Sequence, residues 1–211
     1  INLNEWIIGI PAVLWALTIH EFAHGYIAYK LGDITPKIHG RLTLNPIAHI
    51  DPFGFIALLL VHFGWAKPVP VNPLLFRNVK NKRLGMLLVA LAGPVANFIS
   101  ALLFLIFLKI LTPLSIPQAV KLPLEIFLTW GTFINIGFGI FNLLPIPPLD
   151  GYRILEYFLP VETLIKIKKY EPYGMLILIA IIILPPFTSV FISMINGISM
   201  VMAKIVGINL F

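Results

Sequence analysis

Cysteine is absent from the 211 residues, which excludes disulfide staples, zinc ribbons and thiol nucleophiles. Charge is scarce as well: Asp, Glu, Lys and Arg make up 11% of the chain, against about 25% in soluble globular domains. With 59% hydrophobic residues and a mean hydropathy of +0.95, too little solvating surface remains for a soluble enzyme, a disordered tail or a nucleic-acid binder. The 15 basic and 9 acidic residues give a net charge of +6. The basic ones are scattered between apolar blocks, which is the pattern of membrane topology charge and not of a DNA-binding patch. No cleavable leader is expected, because the first apolar run lacks a basic segment ahead of it and itself carries chemistry.

What the chain has in abundance is uncharged runs. Trp6 to Ile19 continues through His20–His24 to about Leu31, and a helix from Leu3 to Leu31 would be roughly 43 Å long, enough to cross a bilayer, with a kink expected at Pro11. Leu84–Leu108, Ile126–Leu149 and Tyr173–Ala203 are uncharged for 25, 24 and 31 residues; the last, broken by Pro185-Pro186, is read as one kinked span. Phe53–Phe63 has only 11 residues, a length that suits a re-entrant or interfacial helix. If it does not cross, the basic loop residues divide 12 to 2 between the two faces, as the positive-inside rule requires of a cytoplasmic face. Trp65–Pro73 has prolines at alternate positions, so in an extended strand Lys67, Val69 and Val71 keep N–H groups on one edge while Pro68 and Pro70 lack them on the other. The expected fold is an all-α multi-pass membrane protein. It is a helical bundle with a short re-entrant or interfacial helix and a small β-hairpin or edge strand, forming a single membrane-embedded domain over 1–211.

One stretch of the first run carries metal chemistry. His20-Glu21-Phe22-Ala23-His24 is an HExxH motif, and i, i+4 spacing sets both imidazoles on one helix face, where they can bind one Zn²⁺. Glu21 is then placed to act as general base on a metal-activated water. A chance HExxH in this composition is on the order of 0.003 per chain. Ionisable groups inside a span cost about 2.5–3.5 kcal/mol each on insertion scales, so three within five residues need compensation, and a metal supplies it. The alternative is an interhelical hydrogen-bond cluster. Two histidines leave such a site short of ligands. Among the remaining acids Asp150 stands out, because Asn142-Leu143-Leu144-Pro145-Ile146-Pro147-Pro148-Leu149 precedes it. Three prolines in four positions forbid a regular helix and favour an extended, polyproline-like segment that could return Asp150 toward His20 and His24, with Gly151 turning the chain into a short helix.

HEFAH at 20–24, GPVAN at 93–97 and NLLPIPPLDG at 142–151 together resemble the site-2 protease family of zinc intramembrane metalloproteases, whose signature pairs HExxH in one span with N-x-x-P-x-x-x-x-D-G in a later one. The similarity covers roughly residues 15–160, and the chain looks like the compact members that have neither a PDZ nor a CBS domain. The resemblance implies one Zn²⁺ per chain, ligands His20, His24 and Asp150, and Glu21 activating the nucleophilic water. It also implies a transmembrane protein as substrate and the cell membrane as location. The HExxH lies near the end of its helix, so the site is expected nearer the cytoplasmic face.

Further candidates are less specific. Asn97, Asn135 and Asn142 could hydrogen-bond the substrate backbone or the oxyanion, or serve as interhelical glue. The N–H edge of Lys67, Val69 and Val71 could pair with an unwound substrate segment, or belong to an ordinary interfacial hairpin. His39, His49 and His62 read as loop or cavity-wall residues. A transporter or permease moving zinc or protons through the same groups is the rival class, although it has no use for a base beside a ligand. Nucleic acid is not an expected partner; the bilayer is.

Overall fold

The computed structural model describes residues 3–61 and 64–209, which contain nine α-helices: α1 (Leu3–Lys30), α2 (Thr35–Ile38), α3 (Pro52–Val61), α4 (Lys82–Leu111), α5 (Gln118–Asn142), α6 (Asp150–Phe158), α7 (Val161–Lys168), α8 (Gly174–Ile183) and α9 (Pro185–Val206). Among the described residues α4, α5 and α9 are long and apolar enough to cross a membrane. α1 has 28 residues and holds Pro11 within it, which makes it about 42 Å long. α4 starts inside the basic stretch, at Lys82: the Asn81 side chain accepts from the N–H groups of Arg83 and Leu84 and caps the helix.

α1, α4 and α5 pack on one another, α6 lies on α4, and α9 covers α5 and α4. Ala12, Ala16 and Ala28 of α1 and Ala90 and Ala101 of α4 are buried. Small side chains at such seams let helix backbones approach, and in lipid this close packing holds helices together. Ala101, Ile136 and Ile140 form a core cluster against Phe98, Phe191 and Ile195. Ile106, Phe107 and Ile110 on α4 and Ile192, Val201 and Ile205 on α9 face outward, an apolar surface of the kind that suits a bilayer.

Three expectations need correction. The small β-hairpin is not found: among the described residues the only β pairing is an isolated antiparallel bridge between Ile50 and Ala66. The chain opposite Trp65–Pro73 curls into a 3-10 turn at Pro46–Ala48, so a single residue pair lines up and no ladder propagates. The C-terminal run is not one kinked span. It breaks at Leu184, which precedes two prolines and adopts φ −72°, ψ 122°, the extended conformation that a following proline favours; α9 has 22 residues and suffices to cross alone. The span drawn at Ile126–Leu149 begins earlier and ends earlier, at Gln118 and Asn142.

The segment 64–72 is extended although unladdered, and buried polar groups fix it. Lys67 donates its N–H to the His49 carbonyl at 2.9 Å. Arg41 donates through Nη1 to the carbonyls of Ala48 and Lys67, at 2.5 and 3.2 Å. The buried Asp33 carboxylate accepts from the N–H of Thr35 and of Asn72, at 2.9 and 2.6 Å.

Candidate metal centre

His20 and His24 stand one turn apart on α1 and are 3% and 8% exposed. Their Nε2 atoms lie 3.0 Å from each other and 3.0 and 3.1 Å from Asp150 Oδ2. Three ligand atoms at 2.0–2.1 Å from a tetrahedral zinc stand roughly 3.3 Å apart, so the cluster is within a few tenths of an ångström of that spacing. Asp150 Oδ2 is buried and has no hydrogen-bond partner. An orphaned buried carboxylate oxygen is costly unless a cation completes it.

The far sides of both rings fix their protonation. His24 Nδ1 lies 2.7 Å from the Val89 carbonyl, which can only accept, so Nδ1 carries the proton. Asn97 is fully buried, and its Nδ2 donates to the Ala16 carbonyl and to Asn135 Oδ1, each at 2.9 Å. That leaves Asn97 Oδ1 as the acceptor facing His20 Nδ1 at 2.7 Å. In the neutral rings both Nε2 lone pairs therefore point at Asp150 Oδ2, and three acceptors converge with no donor among them. This donor set, two imidazoles and a carboxylate with outer hydrogen bonds holding the rings, suits a zinc ion.

The α1–α4 seam makes this possible. The helices run antiparallel, since Trp15 Nε1 donates to Ser100 Oγ at 2.7 Å, His20 meets Asn97 and His24 meets Val89. Val89, Gly93 and Asn97 recur every four residues and so share one face of α4. A Cβ at Gly93 would sit 2.5 Å from His24 Nε2 and 2.6 Å from His20 Cε1. Only glycine lets α4 come this close.

Asp150 arrives by a shorter route than an extended segment. Residues 143–149 fold into successive tight turns, closed by Leu144 N–H to the Phe141 carbonyl, Ile146 N–H to Leu144 and Leu149 N–H to Ile146. The prolines withhold their own N–H groups, but the residues between them still close turns. This corrects the polyproline-like expectation. α6 begins at Asp150 itself, and Gly151 is helical instead of turning the chain: a Cβ there would run into the carbonyl oxygens of Leu143 and Leu144. At the other end of α6, Arg83 Nη2 donates to the carbonyls of Glu156, Tyr157 and Leu159, satisfying the helix terminus. Arg153 pairs with Glu156 at 3.0 Å and Glu171 at 3.2 Å. Next to it, burial, helped by Glu156 and Glu171, pushes the Tyr152 phenol up.

Glu21 lies beside the cluster in a cavity of about 430 Å³ that His20, His24, Asp150, Val69, Asn142 and Arg153 help to line. Its Oε2 accepts the backbone N–H of Val69 at 2.9 Å. Two of the three N–H groups expected to pair with substrate are thus already engaged, Lys67 with His49 and Val69 with Glu21; Val71 also lines the cavity. Asn142 is at the cavity wall, its Nδ2 donating to the Phe138 carbonyl at 2.9 Å. Asn97 and Asn135 are fully buried behind His20, Asn135 donating to the Gly131 carbonyl at 2.7 Å. His39 is exposed after α2. His49 is buried with Nε2 2.9 Å from the Thr43 carbonyl, and His62 lies outside the described residues. Sequence reading missed Gly93 and the Val89 carbonyl, for which the four-residue spacing to Asn97 is the available signal.

Helices apolar enough to span a membrane, and a His–His–carboxylate cluster that joins the HExxH histidines of α1 to Asp150 of α6, define a membrane-bound metalloprotease. The sequence model of Peptidase family M50 matches residues 108–185, the part containing Asp150. A Bacillus subtilis protein named "Putative zinc metalloprotease YwhC" is 43% identical over 190 residues, 89% of this chain and 85% of that one. "Putative zinc metalloprotease Rip2" of Mycolicibacterium smegmatis is 30% identical over 87% of this chain and 69% of its own length. A Methanocaldococcus jannaschii protein, "Putative zinc metalloprotease MJ0611", is 36% identical over 74% and 73%. No solved structure matches. The chain belongs to peptidase family M50, the site-2 protease family, and its metal is Zn²⁺. The transport reading is not favoured.

Proposed function

We propose that the chain is an intramembrane endopeptidase, one membrane-embedded domain that hydrolyses peptide bonds in or near transmembrane segments of other membrane proteins. The observation carrying this reading is the convergence of His20 Nε2, His24 Nε2 and Asp150 Oδ2 beside Glu21, in a cavity between helices of spanning length. His20, His24 and Asp150 hold the zinc, which when bound acidifies a water and polarises a carbonyl. Asn97 and the Val89 carbonyl keep the imidazoles in the ligating tautomer. Glu21, anchored through Oε2 by Val69, uses Oε1 to take the proton of the attacking water and then gives it to the leaving nitrogen. Asn142 is the asparagine placed to touch substrate. The unwound substrate lies along the extended segment 64–72, where Val71, among the described residues, has an N–H open to it. The site opens to the basic face, read as cytoplasmic by the positive-inside rule.

The test compares wild type with Glu21→Gln in detergent and in vesicles, scoring bound zinc and cleavage of a membrane-spanning substrate. Glu21→Gln is expected to keep its zinc and lose about 10²- to 10⁴-fold in turnover. Zinc retention with undiminished cleavage would refute the mechanism, and zinc uptake without cleavage would favour transport.

A further inference from the structure

A second cavity, of about 320 Å³, adjoins the first, between α1, α3, α5 and the α8–α9 break. Gly64, Trp65, Phe138 and Phe141 line both, so they form the partition between them. The Phe138 ring also meets the His20 ring edge to face, with centroids 5.4 Å apart. Phe138 thus stands between the second cavity and the metal cluster, touching both. Its inner wall is apolar: Leu17, Phe55, Leu58, Phe187 and Phe191 contribute to it. Among its described lining, Asp51 is the one charged side chain, and its Oδ1 already caps α3 by accepting the Gly54 N–H at 2.9 Å.

From this adjacency we infer that the second cavity is the specificity pocket of the enzyme, taking one large apolar side chain, such as Phe or Leu, from a substrate residue next to the scissile bond. The inference rests on the protease reading above and adds which substrates are cut. A whole substrate helix, about 10–12 Å across with its side chains, does not fit a space at the small end of ligand-pocket volumes; a single side chain does. Adjacency to the metal cavity specifies the occupant: a polypeptide whose carbonyl lies at His20, His24 and Asp150 has its neighbouring side chains beside the Phe138 and Phe141 partition, where the second cavity lies. Among the described lining, Asp51 already caps α3 and the Thr188 hydroxyl already donates to the Ile182 carbonyl at 3.4 Å, so an acidic side chain meets a mainly apolar wall and is disfavoured.

The experiment uses the zinc-loaded full chain and membrane substrates in which Phe, Leu, Ala or Asp is placed in turn at each position flanking the cleaved bond. Wild type should show one flanking position where Phe or Leu exceeds Ala by about 10- to 200-fold in kcat/KM, with Asp lowest. Leu58→Trp, which fills the pocket from the peripheral α3, should abolish that preference, bringing Phe and Leu substrates down to the level of Ala. Phe191→Ala, which enlarges it, should extend the preference to Trp. A uniform loss for all four residues in Leu58→Trp, or an unchanged preference in both variants, overturns the pocket while leaving the protease reading intact. A zinc-loaded wild type that cleaves none of the series overturns both.

Discussion

Replacing Gly93 by alanine is predicted to cost the site its metal while the helices stay assembled. The new Cβ would sit 2.5 Å from His24 Nε2, 2.6 Å from His20 Cε1 and 2.7 Å from His20 Nε2. Ordinary contact starts near 3.4 Å, so the neighbours must give by roughly 0.9 Å. They cannot rotate freely, because Asn97 and the Val89 carbonyl hold the far sides of the rings at 2.7 Å. Relief comes either from withdrawing α4, an overpacking cost of about 1–3 kcal/mol, or from turning an imidazole off its outer partner, which weakens metal affinity about 10- to 100-fold. Better helix propensity returns at most about 1 kcal/mol and cannot offset both. Gly197→Ala is the control, since a Cβ there meets nothing within 4 Å. Zinc per chain, measured by elemental analysis after equilibration against buffered zinc, should fall in Gly93→Ala and not in Gly197→Ala. A Gly93→Ala protein binding zinc with wild-type affinity would show that α4 does not press on the ligands as described.

Asn97→Leu leaves His20 Nδ1, the Ala16 carbonyl and Asn135 Oδ1 without their partner. Zinc affinity should drop about 10- to 100-fold, with a stability loss of about 1–3 kcal/mol; competition with a chromogenic chelator measures the first, and wild-type affinity would count against a positioning role. Val69→Pro removes the N–H that holds Glu21 Oε2. Zinc content should persist while kcat falls about 10²-fold, and Val69→Ala, which keeps the N–H, should turn over normally. Equal losses in the two Val69 variants would locate the effect in the side chain.

The parts of the site legible in the sequence are those whose geometry is local. HEFAH fixes two imidazoles on one face through helical pitch alone, and the proline-rich stretch before Asp150 marks the point where the helix must stop. What happens between helices was less accessible. For Asn97 both a substrate contact and interhelical glue are open from the sequence, because a polar group in an apolar helix shows that it needs partners without showing which; its partners in the fold are Ala16, His20 and Asn135. The alternating prolines of 65–73 reveal which N–H groups exist, but their recipients, the His49 carbonyl and the Glu21 carboxylate, come from 18 and 48 residues away. The hairpin expectation failed for the same reason: propensity set the strand, and its partner's 3-10 turn removed the ladder.

The arrangement separates two tasks that the HExxH motif places on adjacent residues. Metal holding depends on the α1–α4 seam and on α6, through Asn97, Val89, Gly93 and the Arg83 clamp. Orientation of the base depends on segment 64–72, which Asp33, Arg41 and the His49 carbonyl fix to the 31–51 region. His20 and Glu21 are consecutive in the chain, yet their outer partners belong to different parts of the fold, which touch through Val71 packed on the Val89 cluster but, among the described residues, share no hydrogen bond. Perturbations of distant, independent groups act additively, whereas members of one network couple. The Gly93→Ala and Val69→Pro effects should therefore fall in different observables, zinc affinity for the first and kcat at saturating zinc for the second. In the double variant the two losses should multiply. A double variant no worse than Gly93→Ala alone at saturating zinc would mean that the seam also orients Glu21, and the separation would be wrong.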